Sequence, residues 1–164
     1  MITYDIEWVN GNVILPMHAQ LPIRQVYVWV REQHDSVIIV SKDGAQWQLP
    51  GGKPEAHETP IQTAIREVYE ETGIDAHDEQ DKLQLFGYRI VTENDDDGVA
   101  AKYLQLRYRI QLDSLGQRLT TEQEDGRQPA DDAIKFVERV SVDEACQRMS
   151  WLRQSEEYRA FRAL

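Results

Sequence analysis

Apolar residues fall in short, β-branched runs along most of the chain, and only one segment before residue 113 spaces them as a helix does. Ile2 to Val9 and Val13 to Leu15 flank Asn10-Gly11, a dipeptide favoured in two-residue turns, so the opening predicts a hairpin. Val26 to Val30 and Val37 to Val40 predict two paired strands, and Gln46 to Pro50 runs into a break at Gly51-Gly52. Leu83 to Thr92 and Tyr103 to Leu112 predict two more strands joined by a polar loop over 93–100. Ile134 to Val140 predicts another, after a Pro/Gly/acid-rich loop over 113–130.

The exception is residues 59–72, where Ile61, Ala64, Ile65, Val68 and Thr72 recur at helical spacing. Thr59 is placed to cap this helix, Pro60 suits its first position, and Gln62 completes a Thr-x-x-Gln capping box. Gly73 stands where a left-handed residue ends a helix. Val142, Ala145, Cys146 and Met149 predict a second helix, and Trp151 to Leu164 a third. Strands, a helix, more strands and then helices predict an α+β fold: one domain over 1–164, a mixed sheet with helices packed on it.

Composition narrows the function. With 29 acidic and 18 basic residues the net charge is −11, and no Lys/Arg cluster offers a face for a nucleic-acid polymer. Such a protein can still act on a phosphate compound if divalent cations stand between the two sets of negative charge. The apolar runs are too short to cross a bilayer, and the N-terminus has no export signal, so no membrane partner and a cytoplasmic setting are expected. One cysteine excludes an internal disulfide and a cysteine-built zinc site. The last helix leaves a monomer and a homodimer both open.

The helix at 59–72 carries the chemistry. Glu67, Glu70 and Glu71 stand at i, i+3 and i+4, so their carboxylates share one side. They crowd the last turns, where the helix dipole is already negative. Each like-charge pair costs about 0.2–0.5 kcal/mol, and each misplaced acid about 0.3–1 kcal/mol. A bound divalent cation would relieve this, and hard oxygen ligands select magnesium or manganese. Arg66 is placed to brace a neighbouring carboxylate, and Gly51-Gly52 allow close approach of backbone to cation and phosphate.

Gly52, Glu58, Arg66-Glu67-Val68, Glu70-Glu71 and Gly73-Ile74 reproduce the pattern G-x5-E-x7-R-E-U-x-E-E-x-G-U, where U is a bulky aliphatic residue. Every fixed position of this Nudix box matches, and the lead-in Trp47-Gln48-Leu49-Pro50-Gly51-Gly52-Lys53 resembles that of the MutT-like branch. The chain is thus identified as resembling the Nudix hydrolases, closely over 47–74 and in architecture elsewhere. The resemblance implies a sheet sandwiched between helices, with the box forming loop–helix–loop. It implies that the Gly51 carbonyl, Glu67, Glu70 and Glu71 hold Mg²⁺ (or Mn²⁺), with Glu58 and Arg66 in support. The implied reaction is attack of water on a phosphoanhydride of a small nucleotide, such as a nucleoside triphosphate.

Outside the box, Lys53 is a candidate phosphate contact, and Tyr88, Arg89, Tyr103, Arg107 and Arg109, which alternate in the strands after the box, are candidates for the substrate cleft. Glu122, Glu124 and Asp125 are candidate general bases. Substrate signatures are sparse: ADP-ribose-specific relatives carry a proline past the box, whereas no proline lies between Pro60 and Pro129. Tyr88 falls a little short of the tyrosine spacing of dinucleoside polyphosphate hydrolases. Those enzymes and nucleotide-sugar hydrolases remain alternatives, as does a non-catalytic nucleotide-sensing module.

Overall fold

The computed structural model describes residues 1–33, 35–113, 118–121, 133–152 and 155–164. In chain order the strands are β1 (Thr3–Asn10), β2 (Ile23–Glu32), β3 (Ser36–Ser41), β4 (Trp47–Gln48) and β5 (Gly51–Gly52). Helix α1 (Pro60–Thr72) follows, then β6 (Gln84–Asp95), β7 (Gly98–Gln111), β8 (Phe136–Ser141), α2 (Val142–Arg148) and α3 (Glu156–Arg162). All eight strands join one sheet in the order β1-β6-β7-β2-β3-β4, with β5 on β2 and β8 on β3. Pairing is antiparallel except between β2 and β7, so the sheet is mixed.

Strand alternation splits the core in two. Val26, Val28 and Val30 of β2 face α1, where they meet Ala64 and Val68 together with Leu104, Leu106 and Tyr88. Trp29, on the other face, packs with Ala145, Met149 and Phe161 from the α2–α3 side. The sheet is therefore covered on both faces, the sandwich expected from the resemblance. Among the described residues no helix is long and apolar enough to cross a membrane.

Two sequence expectations give way to tertiary pairing. The N-terminal hairpin does not form: β1 runs along β6 from Thr3↔Asn94 to Asn10↔Gly87, and Gly11 donates its N–H to the Phe86 carbonyl. The long β6 offers β1 eight paired positions, whereas Val13 to Leu15 offers three apolar residues before Pro16. The loop expected over 93–100 is mostly strand, because β6 and β7 stay paired out to Asp95↔Gly98.

The departure that matters for function lies at β2. It pairs with β3 only at Arg31↔Val37 and Glu32↔Ser36, while its first half pairs with β5 at Val26↔Gly52 and Tyr27↔Gly51. β8 pairs with β3 along its whole length, from Ser36 to Ser41, and past Val37 the place of β2 is taken by β4 at Val40 and Ser41. The sheet forks there, and the glycine pair and the end of α1 meet in the fork.

Candidate active site

Helix α1 forms as its sequence dictates. Thr59 Oγ1 accepts from Gln62 N and the Gln62 side chain accepts from Thr59 N, so the capping box is complete. Gly73 ends the helix at φ 77°, in the left-handed region. This fixes the rotation of the helix, so its last two turns project Glu67, Glu70 and Glu71 into a cleft of about 650 Å³. Gly51, Gly52 and Lys53 line it from the loop, with Tyr27 and Lys42 from the sheet.

Arg66 organises the acids. Its Nε and Nη2 donate to the two oxygens of Glu58 at 2.8 and 3.0 Å, a forked pair, and Nη1 donates to Glu67 at 2.9 Å and Glu70 at 3.2 Å. Nη2 also donates to the Lys53 carbonyl at 3.0 Å, tying the loop to the helix. Glu58 accepts further bonds from Glu55 N and Thr63 Oγ1. With Arg66 foremost, these donors hold the Glu58 carboxyl down at about 2.

Glu67 and Glu71 lean the opposite way. Burial raises Glu67, against the pull of Arg66. Loss of hydration pushes Glu71 well above the usual carboxylate range; the Gly51 N–H, donating at 3.0 Å, opposes this, while Glu67 and Glu70 add to it. An acid so placed gains from a neighbouring cation.

Both glycines are required by close approach. A Cβ on Gly51, at φ 154°, would stand 2.2 Å from the Val26 carbonyl oxygen. A Cβ on Gly52 would stand 2.4 Å from Glu67 Oε1, in the space where that carboxylate rests. Among the described residues no three acidic, histidine or cysteine side chains converge closely enough to hold an ion as they stand. Arg66 draws Glu67 and Glu70 toward itself. The donor set nonetheless fits a hard divalent cation: carboxylate oxygens, a backbone carbonyl freed by glycine, and a buried acid lacking a full counter-charge.

The family model of the NUDIX domain matches residues 21–162, most of the chain, box and fork included. The chain belongs to the Nudix family. Among curated proteins it is 36% identical to an 8-oxo-dGTP diphosphatase of Proteus vulgaris, over 38% of this chain and 69% of that protein. It is 42% identical to a MutT-like protein of Streptomyces ambofaciens, over 36% of each chain, so it spans about a third of that relative. The NUDIX domain of Shewanella oneidensis NrtR, solved with ADP ribose, superposes with TM-score 0.59 over 92% of this chain and 94% of that one. At 15% identity this is a likeness of fold alone.

In this Nudix chain the remaining candidates separate. Lys53 lines the cleft. Arg89 reaches an adjoining recess of about 180 Å³, lined also by Tyr27, Leu49, Gln105, Arg107 and Trp151. Tyr88 does not reach the cleft. Alternation along β6 turns it into the α1-side core, where it is fully buried and its hydroxyl meets His18 Nδ1 at 2.8 Å and Leu15 N at 3.1 Å. Tyr103 lies on the same face as Arg107, but outside both cavities, under the guanidinium of Arg24 at 4.5 Å. Glu122, Glu124 and Asp125 lie outside the described residues.

Sequence reasoning missed four residues. Tyr27 is shared by cleft and recess, and Lys42 enters the cleft from the end of β3. Glu157 of α3 is 1% exposed and lies between Arg89 and Arg107, and Trp151 sits over Arg89 at 4.7 Å. Arg107, Arg89 and Glu157 are far apart in sequence, and no local pattern links them.

Proposed function

We propose that residues 1–164 form one Nudix domain, a hydrolase that uses Mg²⁺, with Mn²⁺ as substitute, to cleave a phosphoanhydride bond of a nucleoside triphosphate. The observation that carries this reading is the carboxylate cradle in the fork, where Arg66 gathers Glu58, Glu67 and Glu70 and the buried Glu71 accepts from the Gly51 N–H beside them. The Gly51 carbonyl, Glu67, Glu70 and Glu71 would hold the cation. When bound, it supplies charge neutralisation of the diphosphate and activation of water for attack at phosphorus.

The chain's own residues do the rest. Arg66 sets the carboxylates in register with the loop through Glu58 and the Lys53 carbonyl. Lys53 and Lys42 add positive charge to the cleft beside Arg66, whose guanidinium is taken up by the acids. The products are a nucleoside monophosphate and pyrophosphate. The Proteus vulgaris relative, named as a diphosphatase of a modified nucleoside triphosphate, supports this substrate class. The net charge of −11 disfavours a polymeric substrate.

A screen of nucleoside triphosphates, dinucleoside polyphosphates and nucleotide sugars, with magnesium and then manganese, tests the reading. Cation-dependent release of pyrophosphate from triphosphates is expected. Preferred cleavage of a dinucleoside polyphosphate or nucleotide sugar would replace the substrate class, and inertness toward the whole panel would remove the hydrolase.

A further inference from the structure

Beside the cradle, and sharing Tyr27 with it, lies a recess whose charge is reversed. Two arginines from neighbouring strands converge on one buried acid. Arg107 Nε donates to Glu157 Oε1 at 2.7 Å, while Arg89 Nε and Nη2 donate to Oε2 at 2.9 and 2.5 Å. The indole of Trp29 donates to the same carboxylate at 3.3 Å. Glu157 therefore holds both guanidiniums in place and neutralises only one of them.

The free ends of these groups point to a ligand. Arg107 Nη1 donates to the Leu106 carbonyl, but no hydrogen-bond acceptor meets Arg107 Nη2 or Arg89 Nη1 among the described residues. Neither atom is among the buried polar atoms without a partner, so both open onto space. Aromatic rings flank them: Tyr27 lies under Arg107 at 4.6 Å and Trp151 by Arg89 at 4.7 Å. The recess thus offers donors at its floor, two flat aromatic rings at its sides, and the side-chain amides of Gln25, Gln48 and Gln105 around them.

We propose that this recess is the base subsite of the nucleotide, and that it selects a guanine-type base through the N7 and O6 acceptors of its edge. An arginine presents parallel donors that match this pair, whereas adenine places an amino donor beside N7. A phosphate fits the recess less well, because Glu157 already cancels half the charge and two flat rings flank the arginines. Glu157 acts as a positioning residue, touching no ligand itself. The inference rests on the hydrolase reading only for where the phosphates go; base selection is measurable without turnover.

Calorimetric titration of the full chain, free of divalent cations, with guanosine, adenosine, cytidine and inorganic diphosphate tests it. Guanosine is expected to bind on the order of tenfold tighter than the other nucleosides. Diphosphate should not displace it. Arg89→Lys, which loses the fork, should remove the preference, as should Trp151→Ala, at a half-exposed position where folding is not at risk. Equal binding of adenosine, displacement by diphosphate, or a preference that survives Arg89→Lys would overturn the subsite. Selective guanosine binding without hydrolysis of any nucleotide would keep the subsite and remove the hydrolase. Hydrolysis of GTP and ATP with equal KM would do the reverse.

Discussion

The cradle and the recess are neighbouring charge clusters built on opposite ratios. In the cradle one guanidinium holds three carboxylates while a fourth, Glu71, rests on the Gly51 N–H; in the recess two guanidiniums face one carboxylate. Each is braced by a residue of the minority sign, Arg66 in one and Glu157 in the other. Each therefore keeps an excess that a ligand of the other sign would satisfy. A buried pair with its partner complete has little left to bind with; these clusters are incomplete by one charge or more, and they open onto connected cavities.

The largest expected effect falls on the acidic side. Glu71→Gln should lower turnover of a nucleoside triphosphate in magnesium by on the order of a thousandfold, since a cation's charge stabilisation amounts to several kcal/mol. The same substitution should stabilise the cation-free protein. With its folded pKa raised, Glu71 exerts no penalty below the unfolded value; stability then falls as pH rises from there through the folded pKa. A melting series from pH 4 to pH 8 without divalent cation should show this fall in the wild type and a flatter line in the variant. An added cation should raise the melting temperature of the wild type more.

On the basic side the bracing residue matters more for the fold. Glu157→Leu leaves two buried guanidiniums uncompensated and should cost about 3–5 kcal/mol in urea unfolding. A loss below about 1 kcal/mol would mean that the arginines re-pair elsewhere and that the recess is not held by Glu157.

The two glycines sharpen the comparison within the cradle itself. Gly51→Ala meets backbone, the Val26 carbonyl oxygen, and should destabilise the chain by about 2 kcal/mol. Gly52→Ala meets first the movable carboxylate of Glu67. It should leave the melting temperature nearly unchanged while weakening the apparent affinity for magnesium about tenfold, read from the metal dependence of turnover. If both variants lost stability equally, the second glycine would serve the fold rather than the cation.

The smallest effect concerns acid stability. Glu58 has a folded pKa of about 2 against an ordinary 4.5, so its contribution is fully present above pH 4.5 and disappears as pH falls through about 2. Glu58→Gln should flatten that acid limb, measured by the denaturation midpoint at pH 5 and pH 2.5. An unchanged limb would assign acid unfolding to other carboxylates.

What was legible in the sequence was local. The capping box, the glycine at the end of α1 and the carboxylates at i, i+3 and i+4 depend on bonds within a few residues, and α1 runs over Pro60–Thr72 as read. The box fixed the family because its spacing is itself a property of one helix and its loop. The opening misled because Asn-Gly permits a turn without compelling one, and β6 provided a longer partner for β1. Tyr88 and Arg89 looked equivalent as neighbours, yet alternation sends one into the core and the other to the recess.

The sequence by itself determined the helix, its caps and the acids it carries, because these follow from contacts between near neighbours. Only the tertiary structure decided that the sheet forks at β2, that Tyr27 stands between two cavities, and that Glu157 crosses from α3 to meet Arg89 and Arg107. Those three residues come from three different elements, and their charges influence one another only once folding removes the water between them.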